Sequence, residues 1–506
     1  MDMRSSSDPG LRSHSEYLSF LSFLLSFLFF FLFLSFLSFS PSPSKASLTL
    51  NGKKGREMED KLWNASSAGD LITLRSILEE NPTVDVNWVK HSDRFDTPLH
   101  RSCRLRHLEI VRELLRHPRI DLNKGNKGDA TPFYIACQEG HADVVAVLLA
   151  TPGIDGNKPS VSVATPFLIA CYNGHTEVVE LLLRDARINP RTANQNSASP
   201  FYMACQNGHT SIALMLLGDP RTDVNLCSNT EATPFLMACS NGHREIVARL
   251  LADPRIDANK PMKGGDPPLF FACQNNSKEI VELLLADSRV DVNKANHHEV
   301  TPFFIAAQQG HDDVVFLLLG VPSVDPNKAR EDSTTPLWMA AQIGQLSTIQ
   351  VMLASSREIN VTLKSTFNQH TAAQQARLVA SIPIEAAKAV ENYERTVANC
   401  AAVATLLDEY EVDSESVRQR LRKLPDIRHR LIGATFALVV FFTDEYLKPA
   451  TEIPPSFQRF FDLCARLPLD LQMVICNRMF DSARCIVLSR DSEPGFRWLV
   501  RANTWG

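Results

Sequence analysis

Five cysteine–histidine pairs stand four residues apart: Cys103/His107, Cys137/His141, Cys171/His175, Cys205/His209 and Cys239/His243. On one unbroken helix, a thiolate and an imidazole at this spacing share a face and could hold zinc. A glycine precedes four of the five histidines, and glycine is a residue on which helices end. The pairs therefore read as structure, and no metal or other cofactor is expected. Asp121/Asn123, Asp223/Asn225 and Asp257/Asn259 have the opening spacing of a calcium loop. They lack its further oxygen ligands and closing glutamate, so they read as turns. No phosphate-cradling glycine loop, H-E-x-x-H or G-x-S-x-G motif is present. The chain is not expected to be an enzyme, and an unrecognised activity has room only in residues 408–506.

Composition narrows the class further. With 44% hydrophobic and 22% charged residues over 506 positions, most of the chain is globular and too long for one core. A net charge of −5 gives no reason to expect nucleic acid as a partner. Six of the eleven cysteines, Cys103, Cys137, Cys171, Cys205, Cys239 and Cys273, recur every 34 residues beside a small residue. That is a repeated core position rather than a disulfide framework, and reduced thiols imply the cytoplasm or the nucleus for this part of the chain.

The elements that position these residues repeat with the same period. Thr97-Pro98, Thr131-Pro132, Thr165-Pro166, Ser199-Pro200, Thr233-Pro234, Pro267-Pro268, Thr301-Pro302 and Thr335-Pro336 are successive starts. Thr131 suits a helix N-cap and Pro132 the first helical position. Gly140 falls where a helix end needs positive φ, and Gly174, Gly208, Gly242, Gly310 and Gly344 repeat it. Next comes a second helix with one apolar face, Val144, Val145, Leu148 and Leu149 in this copy. Asx-rich segments such as Ile120-Asp121-Leu122-Asn123-Lys124 form the turn into the following unit.

Thr131 to His141 reads TPFYIACQEGH, which resembles the ankyrin-repeat pattern T-P-L-H-x-A. The resemblance covers about residues 58–367. It implies an all-α fold: an ankyrin-repeat α-solenoid, a helix-turn-helix plus a hairpin loop per unit, followed by a helical carboxyl-terminal domain. Met58 to Val89 resembles a degenerate capping unit. Two departures stand out. The histidine of the pattern survives only as His100, so its hydrogen bond is expected to be missing from most units. Arg106 and Asn276 replace the turn glycine, and the Arg106 turn is expected to be strained or reshaped.

The resemblance further implies a protein–protein interaction module or scaffold, working through hairpin tips and a concave groove. The fifth position of each first helix would face that groove: Ile135, Ile169, Met203, Met237, Phe271, Ile305 and Met339, after Arg101. Beside it run Gln138, Tyr172, Gln206, Gln274 and Gln308. An apolar stripe edged by amides suits an extended or helical peptide, with methionines adapting to its shape. The same stripe also fits simple packing between neighbouring first helices. Glutamate at Met203 and Met237 separates the two, sparing the fold only if the stripe is surface.

The ends are read separately. Residues 1–57 form a hydrophobic extension in which Tyr17–Phe39 has the length and apolarity to span a membrane. The flanking lysines would then leave the repeats facing the cytosol. Its Leu-Phe-Ser monotony also suits a non-native start ahead of Met58, and a signal peptide is the third reading. Membrane contact is expected only through this segment, and the protein is expected to be a monomer. Residues 368–407 read as an Ala-rich helical linker, and 408–506 as a helical domain in which the run Leu431–Phe442 is a buried helix. Arg418, Arg420, Arg422, Lys423, Arg428 and Arg430 form a basic cluster that suits a solvated face, or an acidic protein or RNA surface. Leu467-Pro468-Leu469-Asp470-Leu471 faintly resembles an F-box opening, which would make the protein a substrate adaptor of a ubiquitin ligase.

Overall fold

The computed structural model describes residues 50–90, 94–382, 393–428 and 430–431. The chain divides into two compact units, Met1–Met58 and Glu59–Gly506. Tyr17–Phe39, residues 432–442 and the Leu467–Ile475 motif lie outside the described residues. Among those described, no helix is long and apolar enough to cross a membrane.

The described part is helical, without a strand. It opens with α1 (Leu50–Ala68) and α2 (Leu71–Glu80). Helix pairs follow: α3 (Pro98–Arg104) with α4 (Leu108–Leu115), α5 (Pro132–Glu139) with α6 (Ala142–Leu149), and α7 (Pro166–Asn173) with α8 (Thr176–Arg184). They continue as α9 (Pro200–Asn207) with α10 (Thr210–Gly218), α11 (Pro234–Ser240) with α12 (Arg244–Leu251), and α13 (Pro268–Gln274) with α14 (Lys278–Leu285). The last are α15 (Pro302–Gln309) with α16 (Asp312–Leu319) and α17 (Pro336–Ile343) with α18 (Leu346–Ala354). First helices pack on first helices and second on second, which is the arrangement of an α-solenoid.

Each start obeys the same local chemistry. Thr131 is extended (φ −80°, ψ 164°), and its hydroxyl accepts the Tyr134 N–H at 3.0 Å. The other Ser or Thr starts do the same, while Pro267 offers no side-chain cap. At the end of α5, Gly140 adopts φ +77° and the His141 N–H bonds the Ala136 carbonyl at 3.1 Å. Arg106 occupies the same place at φ +58°, and His107 N–H still bonds the Ser102 carbonyl at 2.9 Å. The turn is therefore strained but not reshaped.

Arg106→Gly should consequently raise stability, by about 1 kcal/mol, by releasing that strain. The Arg106–Asp143 ion pair it removes is largely exposed (3.2 Å) and contributes little. A denaturant midpoint that stays put or falls would show that the turn is relaxed as it stands.

The core lies between the helix layers. Phe133, Phe167, Phe201, Phe235 and Phe303 are buried in one column, the six repeat cysteines in another, and Val144, Val145 and Leu148 line the second-helix side. Burial pushes the column's thiols well above their ordinary range, so they remain neutral and inert.

Packing runs on past residue 367. Thr371 caps α19 (Ala372–Ala380) with a capping box, and α19 lies on α17 as earlier first helices lie on one another. The helices α20 (Tyr393–Val412) and α21 (Ser414–Arg422) then cover α19 and α18. Two members of the basic cluster, Arg422 and Arg430, serve this docking. Arg422 Nε donates to the Ala354 carbonyl at 2.9 Å, Arg430 pairs with Asp313 at 2.9 Å, and Arg418 pairs with Glu415 and the Tyr410 hydroxyl. Arg420 pairs with Glu409.

Candidate functional site

Side-chain bonds between successive units decide which residues are left for a partner. The histidines are engaged in that way. His107, His141, His175, His209, His243 and His311 place Nε2 at 2.7–3.1 Å from a main-chain carbonyl of the preceding unit. A carbonyl only accepts, so Nε2 carries the proton and donates. Gln345 takes the same role toward the Gln308 carbonyl at 3.1 Å. Among the described residues, no three His, Cys, Asp or Glu side chains gather as metal ligands.

The Asp-x-Asn steps are turns, as read, and also a ladder. The Asn123 N–H donates to Asp121 Oδ1 at 3.1 Å. Its carboxamide then reaches the next loop, Nδ2 donating to the Gly153 carbonyl at 2.7 Å and Oδ1 accepting the Asp155 N–H at 2.8 Å. Asn259, Asn293 and Asn327 repeat both bonds. A lysine follows each asparagine, and Lys158 Nζ donates to the Asn123 carbonyl of the preceding loop at 2.9 Å.

A third column is built on Asp-x-Arg. Arg187, Arg221, Arg255 and Arg289 fork onto Asp185, Asp219, Asp253 and Asp287. Each guanidinium also donates to a carbonyl of the preceding second helix, Arg187 to Leu149 at 2.7 Å. Hydrogen bonds from these arginines hold the four carboxyls below their ordinary 3.8.

The ankyrin-type histidine is partly replaced. His100 Nε2 donates to the Ala130 carbonyl at 2.8 Å, and its Nδ1 meets the Thr97 hydroxyl at 2.8 Å. In its column Trp338 Nε1 donates to the His370 carbonyl at 3.1 Å, while Tyr134 and Tyr202 are buried. Leu168, Leu236, Phe270 and Phe304 are buried there without a polar group.

These groups fix the sign of the acid response. Burial pushes His100 below its ordinary 6.5, so the fold keeps it neutral while the unfolded imidazole takes up a proton. Stability should begin to fall as pH drops below 6.5. The four paired carboxylates contribute stability above 3.8 and lose it as pH falls through their lower folded-state values. Thermal melts from neutral to acid pH check both steps, and His100→Gln should shrink the first. A flat profile through the histidine range would refute the assignment.

The expected groove stripe divides in two. Ile135, Met203 and Ile305 are buried, whereas Ile169, Met237, Phe271 and Met339 are half-buried. Ile135 and Met203 belong to an apolar cluster with Tyr134, Leu168, Tyr202 and Leu236, against which Ile169, Met237 and Phe271 pack. Alongside, Gln138, Gln206, Gln274 and Gln308 are half-buried and Tyr172 is 44% exposed. The main-chain carbonyls of these five residues accept from the next unit's Asn, His or Gln.

The family model for ankyrin repeats matches three times, over residues 62–160, 156–226 and 216–296. Residues 62–296 of the chain therefore carry ankyrin repeats. No curated protein matches it. Ankyrin repeats are generally protein–protein interaction modules.

Proposed function

We propose that this chain is a binding scaffold that holds a partner protein along the exposed edge of its first helices, with the hairpin loops adding contacts. One observation carries the reading: α7, α9, α11, α13, α15 and α17 contain no Asp, Glu, Lys or Arg. A charged segment laid there would lose water and gain no counter-ion. An apolar, amide-bearing segment would meet Ile169, Met237, Phe271 and Met339 flanked by glutamine side chains. The buried free thiols suit a reducing compartment and so support a cytosolic setting for the repeats.

Tyr172→Glu with Gln206→Glu tests this, because Tyr172 is exposed and Gln206 only half-buried. Affinity capture with mass spectrometry should recover a partner that the double variant loses, with an unchanged melting curve. Equal recovery by both proteins would sink the groove reading. Met203→Glu is the contrasting control: at 8% exposure it buries a charge, and it should lower the melting temperature instead.

A further inference from the structure

The loop ladder changes at one step in three columns at once. Arg191 stands where Asn157 and Asn225 stand in the neighbouring loops. Thr192 and Leu226 replace the lysine seen as Lys158 and Lys260, and Thr222 replaces the buried residue seen as Ile188 and Ile256. Arg191, Thr222 and Leu226 line one cavity of about 360 Å³ with Pro190, Phe201 and Asp223.

The chemistry of the step follows from what arginine cannot do. Arg191 Nε donates to the Arg221 carbonyl, keeping the bond an asparagine Nδ2 would make. A guanidinium accepts nothing, so the Asp223 N–H has no counterpart to the bonds of Asp257 N–H at 3.2 Å and Asp291 N–H at 2.7 Å. The Arg191 carbonyl meets no lysine, because Leu226 holds that place. Thr222 Oγ1 is buried with no hydrogen-bond partner in the chain. The cavity thus joins an N–H donor and a hydroxyl to the apolar surfaces of Phe201, Leu226 and Pro190. Near the cavity Arg221 is held by Asp219 at 2.7 Å, and the lining itself carries one cation, Arg191, and one anion, Asp223.

We infer that this cavity is a recessed site for a neutral carboxamide, a Gln or Asn side chain presented by a protein partner. Its carbonyl would accept from the Asp223 N–H, its amide would meet the Thr222 hydroxyl, and its methylenes would lie on Leu226. The template is internal, since a carboxamide of the chain itself fills the corresponding place at neighbouring steps. An acidic side chain fits less well, with the Asp223 carboxylate already there. The inference rests on the reading that these repeats bind protein.

The test titrates N-acetyl-glutamine methylamide into the full chain, observed by methyl NMR at Leu226 and Thr222. Both signals should shift and saturate in the millimolar range, with capped glutamate and capped norleucine binding roughly tenfold more weakly. Arg191→Asn, which restores the ladder, should abolish the shift at Leu226 and raise the melting temperature. Thr222→Ile serves the same purpose should the first variant fail to fold. No shift with the glutamine probe, equal shifts with norleucine, or unchanged binding in the restored variant would overturn the site. The Tyr172→Glu/Gln206→Glu protein should bind the probe normally, so failure of the groove reading and failure of this site are read separately.

Discussion

Asp96→Ala is expected to destabilise the first repeats by about 3 kcal/mol, the range for removing one partner of a buried ion pair. Asp96 is fully buried, and its carboxylate accepts from Arg104 Nη2 at 3.1 Å and Asn126 Nδ2 at 2.8 Å. Size is no objection to alanine, since Ala130, Ala164, Ala198 and Ala232 occupy the same column. The loss is therefore electrostatic. It leaves Arg104, 14% exposed, with Glu139 alone, and it leaves the Asn126 amide without an acceptor. Adding Arg104→Gln restores the residue found at Gln138 and Gln206, so the double variant should recover much of the loss. Stability in a repeat stack sums over units and their interfaces, so the effect should appear as early unfolding of the amino-terminal repeats. Trp63 reports it directly, because its indole donates to the Asp96 carbonyl at 3.2 Å. A single variant within 1 kcal/mol of wild type, or a double no better than the single, would show that the pair is not stabilising in the sense argued.

The helices were legible because their signals are local and repeated. Thr131 caps three residues ahead, Pro132 sets the first turn, Gly140 closes the last, and eight copies in register average out accidents. What holds the copies together was not legible. His175, Asn123 and Arg187 each act on a carbonyl 30 to 38 residues away, and every residue has a carbonyl, so the partner leaves no mark in the sequence. The spacing Asp185-x-Arg187 was visible, yet two charges so close read as a polar turn. The stripe was found, but its depth was not. Ile135 and Ile169 are the same residue in the same column, and only the neighbours packed on them bury the first and leave the second half-exposed. Past Phe367 the missing proline hid the next unit's start, though Thr371 and Ala376 keep the cap and small-residue spacing of earlier helices.

Gly174→Ala is the sharper experiment, because the chain carries its own control. Gly174 and Gly242 have nearly the same backbone, φ +81° and +80°, so alanine meets the same left-handed penalty of roughly 1–2 kcal/mol at each. Their surroundings differ by one side chain. An added Cβ at Gly174 would lie 2.5 Å from His209 Cε1, whereas at Gly242 nothing lies within 4 Å. The reason is sequence: His209 stands over Gly174, while Ser277 takes the histidine's place over Gly242. His209 cannot yield freely, because its Nε2 holds the Tyr172 carbonyl at 2.9 Å and swinging aside breaks a bond between units. That adds about 1 kcal/mol or more, so Gly174→Ala should cost about 2–3 kcal/mol and Gly242→Ala only the backbone part. In a His209→Ala background the two glycines should become equal. A persistent difference there would mean that the histidine is not what makes this column require glycine. Equal costs in the native background would mean that the turn alone requires it, and that the bond across the interface is incidental.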